Sequence, residues 1–165
     1  MERTAVLHPL PPVWNSHSQV LLLGTMPSPK SREAGFYYAH PQNRFWRVLS
    51  GVFEEPIGED SASRTEFLLR HGVALWDVLC RCEIAGAGDQ SIRRPEPNDL
   101  LPLLYRSEIK AVFTTGAKAG QLYQRLCLPH TGIPAAVLPS TSPANCRSSM
   151  ESLLSAYRVL RLFCP

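Results

Sequence analysis

Residues 19–24 read Gln-Val-Leu-Leu-Leu-Gly, a strand-sized run with no polar residue alternating through Val20-Leu21-Leu22-Leu23. A strand with one wet face alternates, and a strand covered on both faces does not. A short unbroken apolar run closed by glycine therefore marks a strand packed between two layers. Residues 73–76 and 135–138 are similar short apolar runs, and Ile109 to Thr114, ending at Gly116, reads as a further strand. Four such strands, separated by segments with helical periodicity, predict a parallel sheet with helices on both faces.

The intervening segments fit that frame. In 43–53, Phe45, Val48 and Val52 form one apolar stripe and Trp46, Leu49 and Phe53 a second, so the spacing predicts a largely buried helix. Ser63-Arg-Thr-Glu66 has the pattern of a capping box and opens a helix that runs to Arg70 and stops at Gly72. Asn98 is expected to cap a helix reaching Tyr105, with Pro102 in its first turn. Residues 117–126 are helical. Ser148-Ser-Met-Glu151 is a second capping box, ahead of an apolar face of Met150, Leu153, Leu154, Tyr157 and Leu160. Residues 1–18, with Pro9, Pro11 and Pro12, are expected to form an extended lead-in. Two long loops are expected, one holding Pro27, Pro29, Gly35 and Pro41, the other spanning 80–97 with Gly86, Gly88, Pro95 and Pro97. The expectation is an α/β fold of three layers, αβα, with a central four-stranded parallel sheet, in a single domain spanning 1–165.

The length of 165 residues suits one domain and buries enough surface to need no disulfide or metal staple. No apolar run approaches the ~20 residues of a membrane span, and the first residues lead into no signal-peptide core. The expected compartment is cytoplasmic. Seventeen Lys+Arg against 14 Asp+Glu leave a net charge of +3, compatible with a phosphate-bearing partner. Only three of those bases are Lys (Lys30, Lys110, Lys118), and Arg suits two-pronged phosphate contact. The five cysteines are odd in number. Cys80 and Cys82 stand one residue apart without a nearby His, so they read as ordinary thiols, and neither metal nor iron–sulfur cluster is expected.

Ligands in open α/β sheets sit beyond the carboxyl ends of the strands. Those ends lead into Gly24-Thr25-Met26-Pro27-Ser28, Asp77, Gly116-Ala117, and Pro139-Ser140-Thr141-Ser142-Pro143-Ala144-Asn145. The dinucleotide fingerprint, the Walker A loop and the Gly-x-Ser-x-Gly elbow are all missing. In their place stand a Gly-x-x-Pro turn, two aromatics (Tyr37, Tyr38), an amide (Asn43) that can donate and accept, and a stiff loop rich in hydroxyl donors.

Gly24-Thr25-Met26-Pro27-Ser28, His40-Pro41-Gln42-Asn43-Arg44-Phe45-Trp46 and Ser140-Thr141-Ser142-Pro143-Ala144-Asn145 together resemble the uracil-DNA glycosylase superfamily, and within it most closely the branch of hypoxanthine-DNA glycosylases. The likeness runs from about residue 19 to 162. It implies a cofactor-free, monofunctional hydrolase that extrudes a deaminated base from DNA and cleaves its N-glycosidic bond. The substrate it implies is hypoxanthine (deoxyinosine), with uracil or a mismatched base as the alternative. The resemblance implies a base pocket of Gly24, Thr25, Met26, Pro27 and Tyr38, with Tyr38 stacking on the base. It implies DNA contacts from Ser28, Ser140, Thr141, Ser142, Pro143, Ala144, Asn145 and Arg147. Many relatives carry Asp or Asn where this chain has Met26. The resemblance therefore implies that Asn43 is the catalytic residue, orienting the water or the base, as in the hypoxanthine branch. His40 is expected to be a structural loop histidine, and Lys118 to have no lyase role. The positive charge is expected to gather as Lys30, Arg32, Arg44 and Arg147 on the loop face. A monomer is expected. Met26 also motivates a second class, a lesion-binding module without catalysis. The third is an unrelated α/β enzyme using the Ser140 and Ser142 hydroxyls.

Overall fold

The computed structural model describes residues 2–85 and 89–165. In chain order the elements are β1 (Thr4–Leu7), β2 (Val20–Gly24), α1 (Pro29–Ala34), α2 (Phe45–Phe53), α3 (Ser61–His71), β3 (Val73–Asp77) and β4 (Leu79–Ile84). They continue with β5 (Arg93–Pro97), α4 (Leu101–Tyr105), β6 (Ala111–Thr115), α5 (Ala117–Leu126), α6 (Leu128–Thr131), β7 (Ala135–Leu138) and α7 (Met150–Tyr157). No described helix is long and apolar enough to cross a membrane.

The central sheet has the order β3-β2-β6-β7, and every pairing is parallel. Alternate residues of β2 feed two separate cores. Val20 and Leu22 pack with α2, α3 and α7 on one side; Leu21 and Leu23 pack with α4 and α5 on the other. That division is why β2 shows no polar alternation, and all five of its residues are buried. The expected three-layer architecture with four parallel strands is the one observed.

A second sheet lies where a lead-in and a loop were expected. β1, β4 and β5 form an antiparallel three-stranded sheet of order β1-β4-β5. Leu79-Cys-Arg-Cys-Glu-Ile84 alternates only loosely, and β5 carries two prolines (Pro95, Pro97), which suit an edge strand and also read as loop. Gly86 and Gly88, part of the expected loop, lie outside the described residues. The lead-in also covers the edge of the main sheet. Val13 exchanges two backbone hydrogen bonds of 2.9 Å with Leu75 of β3.

Helix starts moved for local reasons. Asp60, rather than Ser63, caps α3, accepting from the Ser63 amide at 3.0 Å. Asn98 does not cap α4. Its side-chain amide donates to the carbonyls of Asp77 and Leu79 at 2.9 and 3.1 Å, tying the two sheets together. α1 arises inside an expected loop, with Ser28 as its cap and Pro29 in its first turn, and α6 in a stretch that carried no expectation.

Candidate active site

The carboxyl ends of β2, β3, β6 and β7 open into one cleft of about 530 Å³, a size within the range of small-molecule pockets. Gly24, Thr25, Met26, Pro27, Ser28, Tyr38, Asn43, Ser140, Thr141, Ser142, Ala144 and Asn145 all line it. Pro143 and Arg147 are exposed on the neighbouring loop and are not among the lining residues. The small sheet supplies part of the wall through Ile84, with Gln90 beside it.

Asn43 sits just ahead of α2. Its Oδ1 accepts from the Phe45 amide at 2.9 Å and from the Thr141 hydroxyl at 2.8 Å. An N–H donor at that atom identifies it as the oxygen, and two bonds use both of its lone pairs. The Nδ2 group takes no hydrogen bond among the described residues. What Asn43 can offer the cleft is thus a donor.

Arg44 behaves differently from the expectation. Its guanidinium donates to the Ser148 carbonyl at 2.6 Å and the Asn145 carbonyl at 2.9 Å, and its backbone amide donates to Thr141 at 3.1 Å. It clamps the 139–148 loop onto α2 and is not free for a phosphate. Tyr157 of α7 holds the start of the loop, its hydroxyl donating to Pro139 at 2.7 Å. Asn145 closes the loop on itself through Ser140 and Ser148. Arg44→Ala is expected to lower stability by about 2 kcal/mol, because two carbonyls lose charged donors. Arg44→Lys is expected to recover less than half, lacking the fork. Thermal unfolding and proteolysis within 139–148 check both.

Tyr38 adopts φ +51°, a conformation uncommon for a side-chain-bearing residue. It stacks on Phe45 with centroids 3.9 Å apart and planes 12° from parallel, and its hydroxyl meets Thr115 at 3.0 Å. Tyr37 turns inward, its buried hydroxyl donating to Pro11 at 2.7 Å; burial pushes its phenol far above the ordinary range. Ser28 spends its hydroxyl on α1, accepting from the Ser31 amide at 3.1 Å. His40 is a turn residue whose Nδ1 accepts from the Gln42 amide at 3.1 Å. Lys118 is not among the residues lining the cleft.

Two functional-looking residues carried no assignment from the sequence. Asp77 ends β3 beside Gly24, in register across the parallel pair, and its side chain is 5% exposed. Its Oδ2 meets His8 Nε2 at 2.8 Å, and the Leu10 amide donates to His8 Nδ1 at 3.2 Å. Because Nδ1 accepts from the Leu10 amide it carries no proton in the neutral ring, so Nε2–H donates to the carboxylate. Burial pushes the Asp77 carboxyl up from its ordinary range, against the stabilising pull of His8. A Cβ on Gly24 would stand 2.4 Å from Asp77 Oδ1 and 3.1 Å from the Tyr38 hydroxyl. The position of Asp77 at a strand end was a usable signal; nothing in the sequence marked His8.

Residues 11–161 match the family model described as "Uracil DNA glycosylase superfamily". A protein of Methanosarcina barkeri named hypoxanthine DNA glycosylase is 35% identical over 153 residues, covering 89% of this chain and 92% of its own. One from Methanosarcina acetivorans with the same name is 33% identical over 141 residues, covering 84% and 88%. A solution NMR structure of a Methanosarcina acetivorans protein, provisionally named a uracil DNA glycosylase, superposes with a TM-score of 0.76 at 29% identity. That match covers 92% of this chain and 96% of the other.

Proposed function

Because this chain belongs to the uracil DNA glycosylase superfamily, we propose that its cleft removes hypoxanthine from DNA by hydrolysing the N-glycosidic bond, with Asn43 as the catalytic residue. The names of the two archaeal relatives support hypoxanthine as the base. The observation that carries the role of Asn43 is its locked amide, which has an oxygen engaged twice and an NH₂ group left to the cleft.

In this reading the extruded base enters between the β2–α1 turn and Tyr38, whose other neighbour, Phe45, holds its ring in place. The 142–145 tip fills the gap left in the duplex. Bond breakage puts negative charge on the departing base and positive charge on the sugar. An amide N–H aimed at a base carbonyl or ring nitrogen becomes a stronger partner as that charge grows, which lowers the barrier. An NH₂ donating to the attacking water would draw electron density away from the oxygen that must react, so Asn43 is assigned to the base. Water then completes hydrolysis at C1′.

The test is incubation with duplexes holding a single hypoxanthine, uracil, xanthine or mismatched thymine, followed by alkali. Strand scission with hypoxanthine, faster than with the other three, is expected. Tight binding without scission would replace this reading with the lesion-binding one. Neither binding nor scission would favour a small-molecule enzyme using the Ser140 and Ser142 hydroxyls.

A further inference from the structure

We propose that the Arg32 guanidinium grips the O6–N7 edge of the extruded purine, favouring a purine over uracil and steadying it as it departs. This rests on the reading of the cleft as the site of hypoxanthine release.

Arg32 is the one cation among the described residues that line the cleft. It is half-buried, and its Nη1 is closed to solvent without a hydrogen-bond partner. No carboxylate among the described residues pairs with it. A guanidinium carries five N–H donors and no acceptor. A buried donor left unpaired is costly, and a ligand that brings an acceptor recovers that cost on binding. In an extruded nucleotide, phosphate oxygens and base atoms can accept. The phosphates stay with the duplex at the mouth, whereas Nη1 lies where water does not reach. The acceptor that fits is therefore on the base.

The fold sets which edge it is. The cleft runs along the strand ends, from the 139–145 loop after β7 at one edge of the central sheet to the small sheet that follows β3 at the other. Asn43 belongs to the first end through Thr141. Arg32 belongs to the second. It rides on α1, and the turn leading into α1 is held to the β3–β4 junction. There the Val78 amide donates to the Gly24 carbonyl at 2.8 Å and the Leu79 amide to the Thr25 carbonyl at 3.1 Å. The Arg32 amide donates to the Ser28 carbonyl at 3.0 Å, joining helix to turn. A purine lying between the two ends presents O6 and N7 on one edge and N3 on the opposite one. Arg32 takes the first and Asn43 the second.

O6 and N7 stand side by side, at the spacing that the planar fork of arginine meets with two N–H groups. Uracil offers a carbonyl beside a C–H and engages one of the two. Adenine keeps N7 but sets an amino group against the other. Guanine carries the same edge, so Arg32 separates hypoxanthine from uracil and adenine and not from guanine. The contact also acts during the reaction. When the N9–C1′ bond breaks, its electron pair stays on the purine and spreads to N7 and O6. The N–H contacts strengthen as that charge grows, without transfer of their protons. The attacking water leaves its oxygen on C1′, and one of its protons replaces the sugar on the purine.

The experiment measures binding to duplexes whose single lesion carries a 2′-fluorine that blocks cleavage. The base is either hypoxanthine or 7-deazahypoxanthine, in which N7 is replaced by C–H; an undamaged duplex is the third. Wild type is expected to prefer hypoxanthine over the deaza base by about tenfold, for the loss of one arm of the fork. Arg32→Ala is expected to bind the two lesions alike, and the undamaged duplex as wild type does. Its single-turnover release of unmodified hypoxanthine is expected to fall about 100-fold. Equal binding of the two lesions by wild type would overturn the proposal, a result that needs no variant to fold. So would a tenfold preference that survives in Arg32→Ala. An equal loss on all three duplexes would overturn it too, and would assign Arg32 to a phosphate. Wild type that releases no base and binds neither lesion above undamaged DNA would overturn the glycosylase reading, and this one with it. Wild type that releases hypoxanthine but binds both lesions alike would overturn only this one.

Discussion

Asn43→Ala is expected to reduce hypoxanthine release by about 1,000-fold, the upper range for losing one preorganised donor to a developing anion. Two features of the site make the loss large. The amide is locked by Phe45 and Thr141, so wild type spends nothing on orienting it during the reaction. Its NH₂ group also meets no protein acceptor among the described residues, so it is left for the base. The substitution removes the link to Thr141 as well, so Thr141→Val is the needed comparison. It deletes the 2.8 Å latch and leaves the NH₂ donor in place. Thr141→Val is expected to cost about tenfold or less, since only the positioning of the amide suffers. Asn43→Asp keeps the size but replaces a donor with an acceptor beside a departing anion, and no rescue is expected. Single-turnover rates on one hypoxanthine duplex check all three. Full activity in Asn43→Ala, or an equal loss in Thr141→Val, would remove Asn43 from the chemistry.

Gly24→Ala is expected to be nearly as damaging, through space alone. The new Cβ would stand 2.4 Å from Asp77 Oδ1. That oxygen belongs to a short side chain fixed by His8 at 2.8 Å, and the Tyr38 hydroxyl, 3.1 Å away, is fixed by Thr115. Neither can yield without breaking a hydrogen bond. The expected cost is about 1–3 kcal/mol of stability, typical of overpacking a filled site. Excision is expected to fall about 100-fold, because a displacement near 1 Å at the pocket floor misaligns the base. Thermal unfolding and excision measured together check this, and a rate within threefold of wild type would show that the floor is softer than its hydrogen bonds imply.

The parallel sheet was legible because burial on both faces writes itself into its central strand: Val20 through Leu23 serve two cores with one uninterrupted run, whereas the edge strand β7, expected to be buried, exposes Ala136 and Val137. The cleft was legible for a related reason, since strand ends in such sheets are where ligands go, and twelve of the residues named from the motifs line it. The small antiparallel sheet was not, because β5 reads Arg-Arg-Pro-Glu-Pro, an edge strand chosen for solvent and not for a core. The same weakness hid His8. Its partner Asp77 lies beyond three helices and a strand, and a contact made across such a distance leaves no periodic trace. Arg44 misled in another way. An arginine beside a DNA-facing loop looks like a phosphate ligand, yet here two loop carbonyls had no other donor and took it.

The contacts that shape the cleft join residues far apart along the chain: 69 positions for His8 and Asp77, 98 for Thr141 and Asn43, and 104 for Arg44 and Ser148. Contacts of that reach form late, after the loops between them have closed. No fragment of the chain holds a usable site, and a ribosome must release nearly all of it before any base can be read. A repair activity of this design reports on the integrity of the whole molecule: a chain cut short or partly unravelled falls silent, and does not go on to attack sound DNA with half a pocket.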